Sequence, residues 1–143
     1  MGFHEKASYA ATVAGAALAL ATLVPVALYQ TSVISRLPDP PSPFFDSEWI
    51  TASKDAYPLG VPDALLGLGS YSATLALALA APKSGVARKL LAVKLAADGS
   101  MAAFNVVKQV VKFRRLCSWC TGTAVATGIM VVAGHRYLKQ SAS

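Results

Sequence analysis

The chain has 143 residues, of which 55% are hydrophobic and only 14% charged. A soluble domain carries about 25% charged residues, so the deficit excludes an ordinary soluble fold and leaves room for about four membrane spans of about 20 residues each, with no separate soluble domain. The formal net charge of +6 does not indicate nucleic acid, because the bases sit at the ends of apolar segments, where they meet lipid headgroups and fix topology.

The first apolar segment, about 8–29, is rich in Ala and Leu. With His4 and Lys6 ahead of it, it resembles a secretory signal. Its apolar run is too long for a signal core, and it reads as an uncleaved first span. Ala14, Gly15, Ala16 and Ala17 suit close helix packing in lipid, and Pro25 is expected to kink the last turn. The longest polar segment follows, about 31–62. Its stretch Leu37-Pro38-Asp39-Pro40-Pro41-Ser42-Pro43 cannot be helical. A short helix over 46–56, capped by Asp46 or Ser47, is expected to lie at the membrane interface through Phe44, Phe45, Trp49, Ile50 and Tyr57.

The second span is expected at about 63–81, entered through Gly60-Val61-Pro62, with Pro62 suited to a first helical turn. The third, about 87–111, is the least apolar, holding Lys94, Asp98, Ser100, Asn105 and Lys108. Such residues cannot all face lipid. Lys94 and Asp98, four apart, share a helix face and can pair, as a buried structural pair or as part of a proton path. Asp63 is either a dipole-compensating residue at a helix start or a proton donor. The fourth span, about 116–138, ends in His135, Arg136 and Lys139. The bases divide evenly between the two sides, so charge does not choose an orientation.

The only two cysteines form Cys117-Ser118-Trp119-Cys120, between the basic residues Lys108, Lys112, Arg114 and Arg115 and the last apolar segment. A dithiol at a membrane edge is suited to pass electrons between aqueous thiols and an acceptor dissolved in lipid. A cysteine at a helix N-terminus near cations has a lowered pKa, which makes Cys117 the exchanging thiol. Cys120, one turn later, resolves the mixed disulfide. The same pair can instead be an inert structural disulfide. Two cysteines make an incomplete zinc set, and His4 and His135 lie at distant segment ends, so no metal is expected. Trp119 can stack on a planar ligand or anchor the interface. The four bases can dock an acidic partner, bind anionic lipid or simply anchor the helix.

From Ser47 onward the chain resembles the vitamin K epoxide reductase family. The resemblance is carried by Ser47-Glu48-Trp49-Ile50-Thr51-Ala52-Ser53, by Tyr57-Pro58-Leu59-Gly60-Val61-Pro62-Asp63-Ala64-Leu65-Leu66-Gly67, by the spacing of the next two spans, and by the CxxC opening the last one. It implies a four-helix membrane bundle that holds a quinone beside the CxxC. Cys120 would be nearest the quinone and Cys117 would exchange with a thioredoxin-fold partner. Ser53 matches a loop serine near the family's active site. The CxxC end would be extracytoplasmic, in a bacterial inner membrane.

Three departures stand out. The family's two loop cysteines fall at Ser47 and near Asp39, so no relay through them is possible. Asp63 replaces an asparagine that hydrogen-bonds the quinone, and Ala124 replaces a quinone-anchoring tyrosine. The expected fold is therefore one all-α domain over 1–143, a bundle of four transmembrane helices with an extramembrane loop and a short interfacial helix. Two functions are expected of it. One is a thiol:quinone oxidoreductase; the other is an accessory subunit of a larger membrane electron-transfer complex, built on the same fold.

Overall fold

A computed structural model describes residues 2–141. Its long helices are α1 (Phe3–Gln30), α3 (Asp63–Ala80), α4 (Gly85–Lys108) and α5 (Ser118–Ser141); a short helix, α2 (Ser47–Thr51), lies in the loop after α1. No strand forms among the described residues. The nearest thing to one is an isolated parallel bridge between Phe45 and Leu116.

The long helices form a bundle in which α1 and α4 each pack on both α3 and α5. On α1 the buried residues are Thr12, Gly15, Ala16, Ala19, Leu23, Val26, Ala27 and Gln30, a single stripe at helical spacing. Ala14 and Ala17, expected at the interface with Gly15 and Ala16, are exposed instead. The contact with α5 is close because Gly15 has no side chain. A Cβ there would lie 3.0 Å from the Met130 Cα and backbone nitrogen. Pro25 does not end α1, which continues to Gln30.

The faces turned away from the bundle carry exposed apolar side chains, among them Leu18, Leu66, Val93, Phe104, Val111 and Ile129. In water this would be an aggregation surface; in lipid it is the expected exterior. Three helical segments are long and apolar enough to cross a membrane: Phe3–Gln30, Asp63–Lys83 and Gly85–Phe113. Of these, α4 and the turn after it keep the least of their surface inside the bundle. The fourth long helix, α5, is not among them. Thr121, Thr123, Thr127, His135, Arg136 and Lys139 dilute its apolar content.

Lys94, Asp98 and Ser100 of α4 find partners within the chain. Lys94 Nζ lies 2.5 Å from Asp98 Oδ1 and 2.6 Å from Ser70 Oγ on α3. Thr74 Oγ1, also on α3, donates to Asp98 Oδ2 at 2.6 Å. Ser100 returns its hydroxyl to the Ala96 carbonyl of its own helix. The interfacial helix is shorter than the expected 46–56. Asp46 caps it by accepting from the Trp49 amide, and α2 stops at Thr51. Two 3-10 turns follow, Lys54–Ala56 and Pro58–Gly60, and Leu59 takes a left-handed φ of 57° inside the second.

Candidate functional site: a dithiol between a loop clasp and a cavity

Past Lys108, α4 widens into a π-turn over Gln109–Phe113, and Arg114 then adopts a left-handed conformation with φ 55°. That reversal brings Cys117 to the start of α5. Cys117 occupies the cap position: its carbonyl accepts from the Thr121 amide at 2.8 Å, and its Sγ accepts from the Cys120 amide at 3.1 Å. The sulfur thus takes the role a serine or threonine oxygen plays at other helix starts. Both cysteines are free thiols.

The two cysteines face different surroundings. Cys117 is 0% exposed and packs with Ile50 of α2 and Phe113 of the π-turn. Cys120 lines a cavity of about 110 Å³ between α1, α3, α4 and α5. Leu23, Val26 and Val106 supply apolar wall, while Asp63, Asn105, Gln109 and Thr123 bring polar groups to it. Asp63 Oδ1 accepts from Gln30 Nε2 at 3.0 Å, and the same nitrogen donates to the Thr51 carbonyl at 2.9 Å. Gln30 therefore ties the end of α1 to both α2 and the start of α3. No motif pointed to it; a glutamine closing an apolar helix was the available signal.

Above Cys117 the loop is clasped to α5. Asp39 Oδ2 accepts from the Ser47 amide at 2.8 Å, and Asp39 Oδ1 accepts from the Ser47 and Ser118 hydroxyls, each at 2.5 Å. The Ser118 amide donates to Ser47 Oγ at 2.9 Å. A carboxylate beside the first residues of α5 also suits the positive end of the helix dipole. Burial pushes the Asp39 carboxyl up, but the hydrogen bonds from Ser118 and Ser47 outweigh it and hold the group below its ordinary value. The two positions where the resemblance leads one to expect loop cysteines are thus joined by hydrogen bonds instead. Backbone bonds reinforce the clasp: the Asp46 amide donates to the Leu116 carbonyl, and the Leu116 amide to the Phe44 carbonyl.

Of the residues singled out in the sequence, Asp63, Ser53, Lys108, Cys120 and Ala124 line the cavity. Trp119, which can stack on a ligand or anchor the interface, does not. Its Nε1–H donates to the Pro38 carbonyl at 2.8 Å, turning the indole edge to the loop. Ser47 lies in the clasp. The four basic residues meet different surroundings. Lys108 sits 5.5 Å over the Phe104 ring, and Lys112 pairs with Asp55. Arg115 donates to the Pro43 carbonyl, and Arg114 is exposed. The Lys112 hydrogen bond is the main reason the Asp55 carboxyl sits below its ordinary value.

The model of the vitamin K epoxide reductase family matches residues 9–134. Comparison with curated proteins and with solved structures gives no match.

Proposed function

Since the chain belongs to the vitamin K epoxide reductase family, we propose that it is a membrane thiol:quinone oxidoreductase whose Cys117–Cys120 pair passes two electrons from a thioredoxin-fold partner to a quinone. The family and the three apolar helices support an integral membrane protein with thiol–quinone chemistry. We take α5 as a fourth span because it packs between α1 and α4, which are themselves apolar enough to cross. The CxxC end is assigned to the extracytoplasmic side of a bacterial inner membrane.

One observation carries the reading: Cys120 opens on an apolar-walled cavity while Cys117 caps the helix on the loop side. The cavity residues suit a planar, uncharged head group, with Leu23, Val26 and Val106 as wall and Asp63 and Thr123 as polar contacts. Ser53 and Ala124 complete its lining, and Ser47 holds the loop over Cys117.

A partner thiolate attacks Cys117 of the disulfide, and Cys120 leaves as thiolate and takes a proton. The partner's second thiol, losing its own proton, then displaces Cys117, so the partner departs oxidised and the pair is left reduced. When the disulfide re-forms, two electrons and two protons reduce one quinone to hydroquinone.

The test is quinone-dependent oxidation of a reduced thioredoxin-fold protein by the protein in lipid vesicles. The Cys117→Ser, Cys120→Ser double variant is expected to abolish it. An unchanged rate in that variant sinks the enzyme reading.

The complete burial of Cys117 favours a second reading, an accessory subunit of a membrane electron-transfer complex in which the dithiol is never addressed. Co-purification with other subunits from native membranes, with both thiols unresponsive to added quinone, would establish it.

A further inference from the structure

We infer that Gln109 and Asn105 form a carboxamide pair that hydrogen-bonds a carbonyl oxygen of the ligand held beside Cys120. The inference rests on the quinone reading above and names groups that do the work expected at Asp63 and Ala124.

Both residues come from α4 and the π-turn that continues it, four positions apart, and both line the cavity that Cys120 lines. Gln109 is 5% exposed. Its Oε1 accepts from the Cys117 amide at 2.9 Å. That bond fixes which end of the amide is which and leaves Nε2 as the free end. Among the described residues, Nε2 has no hydrogen-bond partner, and neither does the Asn105 carboxamide.

A fold that pairs Lys94, Asp98 and Ser100 of α4 internally leaves these two amides open to the cavity. The free end of Gln109 offers only N–H groups, so it suits a ligand oxygen that accepts. Asn105 can turn its own N–H₂ to the same point. Asp63, also on the cavity wall, cannot do this as a carboxylate.

The π-turn begins at Gln109, and single π-turns within helices recur at functional sites. Gln109 also touches the backbone of Cys117, so it is a positioning residue for both the ligand and the cap that holds the exchanging thiol.

The test uses the full chain in lipid nanodiscs with two probes of similar shape: menadione, which has two carbonyl acceptors, and 2-methylnaphthalene, which has none. Binding is measured by calorimetry, and the carbonyl stretch of bound menadione by infrared difference spectroscopy. Asn105→Leu removes an amide that holds nothing else. Gln109→Glu keeps an acceptor for the Cys117 amide while removing the donor. Each is expected to weaken menadione binding about tenfold, equivalent to about 1.4 kcal/mol, and to leave 2-methylnaphthalene unchanged. The downshifted carbonyl band of the native protein is expected to move back up.

Unchanged menadione affinity in both variants overturns the inference while leaving the quinone reading intact. Equal loss for both probes also overturns it, since that reports shape rather than hydrogen bonding. A native protein that binds no menadione overturns the quinone reading and this inference with it.

Discussion

Asp39 and Ser118 stand 79 positions apart in the chain, yet the Ser118 hydroxyl donates to Asp39 Oδ1 at 2.5 Å. With Ser47 bonded to the same carboxylate, this contact holds the loop over a cysteine that is otherwise placed to exchange. On the proposed exchange, a partner thiol would reach Cys117, which is fully buried, only when the loop lifts, and Asp39 would set how often it does. Asp39→Ala should raise the rate of Cys117 alkylation about fivefold, corresponding to about 1 kcal/mol of loop closure for a partly solvated, charge-assisted cluster. Peptide mapping of the alkylated protein reads it site by site. No change in rate would mean that the backbone bonds at Leu116 hold the loop without the carboxylate.

The same contact predicts a pH dependence. The folded-state value of Asp39 is below the ordinary 3.8. Its contribution is therefore fully present above that ordinary value and is lost as pH falls through the lower folded-state value. Trp119, bonded to Pro38 beside the clasp, reports the loop. Its fluorescence should stay flat from neutral pH to about 5, at which the unfolded-state group is still largely ionised, and change only below 3.8. Asp39→Asn should flatten the acid limb. A transition centred near neutral pH, or an acid limb that persists in Asp39→Asn, would assign the response to another group.

Helix placement, the Asp46 cap, the Lys94–Asp98 pair and the lone CxxC were legible because each depends on residues within a turn or two of one another. The clasp was not. Asp39 sits in a proline-rich stretch that carries no periodicity, and nothing local points it toward Ser118. Gln109 was missed for a related reason. Its partner, the Cys117 amide, faces it only because the π-turn and the left-handed Arg114 fold the chain back. The orientation of Trp119 was not legible because an indole at a membrane edge has several apolar surfaces to choose from. The Pro38 carbonyl that orients it lies far back in the sequence.

Helix packing yields a contrast between two glycines. A Cβ on Gly15 would meet the Met130 backbone at 3.0 Å, whereas one on Gly128 meets nothing within 4 Å. Backbone cannot rotate out of the way as a side-chain tip can. Gly15→Ala should therefore push α1 and α5 apart at a cost of about 1–3 kcal/mol. Gly128→Ala should be neutral or slightly stabilising through helix propensity. Thermal unfolding in detergent, followed by circular dichroism, compares the two. Equal midpoints would contradict the close approach at Gly15.

The Lys94–Asp98 pair separates a structural role from a proton path. Asp98 is buried and accepts from both Lys94 and Thr74. Removing Lys94 alone strands a carboxylate inside the bundle, and breaking a buried pair this way costs about 3–5 kcal/mol. Lys94→Met is therefore expected to extract poorly and unfold early. Replacing both members, Lys94→Met with Asp98→Leu, removes the stranded charge and should recover most of that loss, since apolar substitutes for a buried pair are often neutral. The hydroxyls left behind have backbone to turn to: Thr74 Oγ1 already approaches the Ser70 carbonyl of its own helix at 3.2 Å. The pair lies apart from the residues that line the cavity with Cys120, so the double variant should also keep native quinone-linked thiol oxidation. A well-folded double variant that has lost that activity would make Lys94 and Asp98 part of the proton route rather than the scaffold.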